Sequence, residues 1–91
     1  MPRYIIERTF VAGLHVPVDE VGARLCRKIV ANNAKRGVTW IHSYVSEDAS
    51  KTFCVYDAPS PEAIVDAAQA NELPVDRITV VRVFDPYFYQ G

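Results

Sequence analysis

The sequence has no long apolar run, only four glycines and two cysteines, and no excess of either charge, with ten Lys and Arg against eleven Asp and Glu. Each shortage excludes something. No stretch approaches the roughly 20 apolar residues of a membrane-spanning helix, and residues 1–7 are strand-like, unlike the apolar core of a secretory signal. The expectation is a cytoplasmic protein with no membrane partner. A net charge of -1 and scattered basic residues argue against nucleic acid. The densest basic group, Arg24, Arg27, Lys28, Lys35 and Arg36, falls on a helix and its exit and reads as a solvated face. Cys26 and Cys54 form no CxxC pair and read as buried thiols. Also missing are GxSxG, a glycine-rich phosphate loop, HExxH and any Ser/His/Asp arrangement, so nothing marks a catalytic centre.

What is present is an ordinary folding composition, 49% hydrophobic and 23% charged, in a 91-residue chain that suits one domain, 1–91. Residues 3–11 are rich in β-branched and aromatic types and read as a strand that ends at Ala12-Gly13. After Pro17, the positions Val18, Val21, Leu25, Cys26, Ile29 and Val30 draw an apolar helical stripe, with Asp19 and Glu20 in the first turn and Gly37 at the stop. Residues 38–46 and 51–58 are β-prone and flank a short polar turn, which makes a hairpin. Ser60 caps a second helix with Pro61 at its first position and Ala63, Ile64, Ala67 and Ala68 facing inward. Residues 77–84 form the last strand. The order β-α-β-β-α-β predicts an α+β, ferredoxin-like sandwich, a four-stranded antiparallel sheet with both helices on one face. So small a domain leaves the other face to a second subunit, and the expectation is a homodimer in a dimeric α/β-barrel arrangement.

Period-two alternation then selects the residues of that open face. In the second strand Val38, Trp40, His42 and Tyr44 alternate with Thr39, Ile41, Ser43 and Val45; the second set is compact and suits packing under helices, and Trp40, His42 and Tyr44 are placed on the open face. In the first strand Tyr4, Ile6 and Phe10 are sent to the helices, which leaves Glu7 beside His42. Arg82 is placed on the same cavity, with Val81 and Val83 packed inward. Cys54 depends on register: a four-residue turn sets it opposite Ser43 under the helices, and a one-residue bulge sets it beside His42. A histidine, a carboxylate and a thiol or phenol on one concave face are the ingredients of a nickel, copper or zinc site. They are also the ingredients of a plain interface, and one His with one Glu is more often a hydrogen-bonded pair in a dimer seam. His15, in the loop after the first strand, is either solvent-exposed or a peripheral ligand.

The segments Pro2-Arg3-Tyr4-Ile5-Ile6-Glu7-Arg8, Val38-Thr39-Trp40-Ile41-His42-Ser43-Tyr44-Val45-Ser46-Glu47-Asp48, Lys51-Thr52-Phe53-Cys54-Val55-Tyr56-Asp57-Ala58-Pro59 and Leu73-Pro74-Val75-Asp76-Arg77-Ile78 resemble the small actinobacterial nickel-binding proteins and their relatives. The resemblance spans nearly the whole chain. It implies a ferredoxin-like fold, a homodimer, and a bound nickel ion used in sequestration or homeostasis. Glu7, His42, Tyr44 and Cys54 fall in the matching blocks; His15 does not. Three readings follow. The first is a nickel-binding protein with metal ligands drawn from Glu7, His42, Cys54 and His15. The second is a small-molecule binder or cofactor-independent enzyme of the dimeric α/β-barrel type, with Trp40, Tyr44 and Phe53 shaping a pocket and His42 or Arg82 orienting a polar group. The third is an interaction scaffold.

Overall fold

The strands form where β-branched and aromatic residues cluster, and the helices where capping residues precede periodic apolar ones. The computed structural model describes residues 1–89. The elements are β1 (Arg3–Thr9), α1 (Glu20–Ala34), β2 (Thr39–Val45), β3 (Lys51–Asp57), α2 (Pro61–Asn71), β4 (Arg77–Val81) and a 3-10 turn (Pro86–Tyr89). The four strands make one antiparallel sheet in the order β2-β3-β1-β4, the ferredoxin-like topology expected from the element order.

Local chemistry accounts for the helix ends. Asp19 accepts hydrogen bonds from the backbone N–H groups of Val21 and Gly22 at 2.9 and 3.2 Å, which satisfies two otherwise orphaned donors of α1. Ser60 does the same for Ala63 at 3.2 Å, with Pro61 pre-set at the first position of α2. Glu72 ends α2 in the left-handed region, φ 57°, where the chain must reverse. Gly22 is required by close approach: a Cβ there would lie 1.8 Å from the Pro17 carbonyl oxygen of the incoming loop.

The core lies between the sheet and the helices and is built from Tyr4, Ile6, Cys54 and Tyr56 on the strands, Val38 and Ala58 at strand ends, and Ile64 and Ala67 on α2. Tyr4 and Ile6 therefore point where alternation sends them. The α1 stripe does not. Val18, Val21, Leu25 and Val30 are all exposed, and only Gly22 and Asn33 of α1 are buried. The reason is that α1 packs mainly along α2 and the start of β2, leaving a cleft between its apolar side and the sheet. The end strands are also shorter than their β-prone sequence predicts: β1 stops at Thr9 and β4 at Val81.

Candidate functional site

Which face each side chain takes is settled by the pairing of β2 with β3. The turn between them is four residues long and is held by Asp48, whose carboxylate accepts from the Ser46 hydroxyl and from the backbone and hydroxyl of Ser50 at 2.7 to 2.9 Å. These bonds, led by the Ser50 backbone N–H, hold the Asp48 carboxyl at about 2. From that turn the register runs Val45 to Thr52, Tyr44 to Phe53, Ser43 to Cys54 and His42 to Val55, and then a bulge at Ile41 brings Trp40 opposite Tyr56.

The bulge divides the aromatic set that simple alternation keeps together. His42 and Tyr44 share the helix-free face with Val55 and Phe53, their rings meeting edge-on at 84° with centroids 5.1 Å apart. Trp40 is turned to the opposite side, against the core, where its indole N–H donates to Ser43 Oγ at 2.9 Å. The expectation that Trp40 joins His42 and Tyr44 on the open face is thus corrected, because one extra residue flips every side chain beyond it.

Cys54 is buried beneath the helices, its thiol 3.7 Å from Thr52 Oγ1. It is opposite Ser43, the arrangement of the four-residue turn, and the structure does not bring it to His42. Glu7 lies on the open face, opposite Phe53 on one side and Arg77 on the other. His42 and Glu7 belong to β2 and β1, with β3 between them, so their backbones are about 10 Å apart at the closest. His15 sits in the exposed loop with Nε2 3.1 Å from the Ala12 carbonyl oxygen, in no group of three potential ligands among the described residues. Arg82 falls beyond the end of β4. Val81, opposite Arg3, is on the open face, not packed inward, and Arg82 and Val83 are exposed after it. Asp57 also reaches the open face, but Arg3 holds it with two bonds of 2.8 and 3.1 Å and keeps its carboxyl below the ordinary range.

The test for a metal centre is whether donors converge. Among the described residues no three His, Cys, Asp or Glu side chains gather closely enough to hold an ion. One chain supplies an exposed imidazole on an uncovered sheet face with a carboxylate two strands away, which is not by itself a complete donor set. The residue that sequence reasoning passed over is Arg8. It is 1% exposed, bonded to the Pro74 carbonyl at 2.7 Å and the Tyr56 hydroxyl at 3.1 Å. The signal was there, since Arg8 shares its alternation with Tyr4 and Ile6, the inward face of β1.

Comparison with known proteins places this geometry. No curated protein matches the chain. Among solved structures the chain is similar to SCO4226 from Streptomyces coelicolor A3(2), with a TM-score of 0.70 over 91% of this chain and 99% of that one, at 14% identity. At that identity the likeness speaks for the ferredoxin-like fold. A family model described as "Nickel responsive protein SCO4226-like" matches residues 4–81. That span runs from the first core residue of β1 to the last residue of β4, and the chain belongs to the SCO4226-like family of nickel responsive proteins.

Proposed function

We propose that the protein binds nickel as a homodimer, with His42 as the principal donor on the helix-free sheet face and Glu7 as an oxygen donor, and that it serves nickel sequestration or homeostasis. The observation that carries this reading is the position of His42: exposed, on a sheet face no helix covers, in a chain of a nickel-responsive family. Neutral imidazole suits nickel, and carboxylate oxygen completes mixed nitrogen and oxygen sets. Because Glu7 and His42 of one chain stand two strands apart, a complete set needs donors from a second copy facing the first. Tyr44, in edge contact with the His42 ring, limits which way that imidazole can turn.

Cys54 is not a donor in this reading, since its thiol is buried on the other side of the sheet. His15, bonded to Ala12 within its own loop, is not a donor in this reading either. The test is calorimetric titration of metal-free protein with nickel, with zinc and cobalt for comparison. Saturable nickel uptake, lost in His42→Ala and weakened in Glu7→Gln, is the expected result. Weak uptake of all three metals that ignores His42→Ala would overturn the proposal.

A further inference from the structure

The cleft between α1 and the sheet has a volume of about 360 Å³ and walls of Leu14, Leu25, Ile29, Trp40, Val45 and Cys54. That is within the usual size and character of a small-molecule pocket. It lies on the face of the sheet opposite His42. Of the α1 stripe, Leu25, Cys26 and Ile29 border this space and stay partly exposed.

Arg8 also lines the cleft. Its guanidinium is charged at every accessible pH, and burial of such a charge is costly unless an anion accompanies it. Among the described residues it has none: its two bonds go to neutral oxygens of Pro74 and Tyr56, and its Nε has no hydrogen-bond partner. The ion pairs found are Arg3 with Asp57 and Arg27 with Glu20, both elsewhere. A buried guanidinium with no carboxylate partner among the described residues, held by two neutral oxygens and lying 5.8 Å from the Tyr56 ring centroid, borders a cleft with apolar walls, and the group that matches both is a negative charge on an apolar body.

We infer that the cleft between α1 and the sheet binds an amphipathic organic anion, a carboxylate on an aliphatic or aromatic body, with Arg8 as its charge partner. A metal cation is excluded there by the guanidinium itself. A doubly charged phosphate is poorly matched to one guanidinium and an apolar wall. Trp40 is the chain's single tryptophan and part of that wall, so its fluorescence reports occupancy directly.

The experiment titrates the full chain, in the presence of a chelator, with decanoate, and separately with decanol as the uncharged probe of the same length. Decanoate is expected to shift Trp40 emission saturably and to bind at least tenfold tighter than decanol, the margin of a charge-assisted bond. In Arg8→Met that margin should vanish while decanol still binds, since an apolar side chain replaces a buried charge without loss of packing. If Arg8→Met does not fold, Ile29→Phe, which fills the cleft from the helix side, should abolish decanoate binding in a chain of native circular dichroism. Equal affinity for the two probes in the natural chain overturns the inference, as does no binding of either, the outcome if a second copy of the chain occupies the cleft. Decanoate binding unchanged in Ile29→Phe overturns it too.

Discussion

At the scale of single residues, two positions carry strain or charge that a substitution can expose. Asp48 is pinned by three serine donors, and its carboxyl is held at about 2. An acid whose native value is depressed below its unfolded value stabilises the fold above the unfolded value and stops doing so as pH falls. The contribution of Asp48 is thus complete above pH 4 and is lost as pH falls from there towards 2. Carboxyl NMR should find Asp48 titrating near 2 in the folded protein, and Asp48→Asn should flatten the acid limb of the stability curve over that window. Glu72 is the second case. A non-glycine residue at φ 57° bears a steric cost that glycine avoids. Glu72→Gly is expected to raise stability by about 0.5–1 kcal/mol, a melting shift of a few degrees for a domain of this size. An unchanged or lower melting temperature would show that the Glu72 side chain contributes more than its conformation costs.

At the scale of elements, sequence and structure agree most where periodicity and capping act together. Asp19, Ser60 and Pro61 mark the helix starts, and the polar turn at residues 47–50 marks the hairpin, because each is local chemistry that needs no distant partner. The Ile41 bulge was not legible, since nothing in a run of β-prone residues signals an inserted one, and its consequence is the transfer of Trp40 from one face to the other. The α1 stripe was legible as a stripe but not as an unfilled one. Sequence spacing says which residues share a face, not how far that face stands from the sheet or how closely the loop that enters the helix approaches it. That loop passes so near α1 that Gly22 has no room for a side chain. Gly22→Ala must push backbone against backbone at Pro17, and a cost of about 1–3 kcal/mol is expected despite the better helix propensity of alanine. Thermal unfolding measures it; a neutral or stabilising effect would mean that the Val16–Pro17 loop moves freely.

At the scale of the whole molecule, the chain exposes more surface than it should alone. Its accessible area is 6384 Å², against about 5,300 Å² for a monomeric protein of 10.2 kDa. Its radius of gyration is 14.0 Å, where a compact chain of this length gives roughly 12 Å. The excess of about 1,100 Å² is larger than the roughly 800 Å² that one partner gives to a standard interface. Two surfaces contribute: the helix-free face around Tyr44, which is 63% exposed, and the segment after β4, where Phe84 and Phe88 are each 80% exposed. Sedimentation of the natural chain is expected to give twice 10.2 kDa. Tyr44→Glu would bury a charge in a face-to-face dimer and should return it to a monomer, whereas Phe84→Ser with Phe88→Ser should do so if the terminal segment makes the contact. A monomeric natural chain at working concentration would remove the second copy that the proposed nickel site needs to complete its donor set, and would leave His42 and Glu7 two strands apart with nothing to join them.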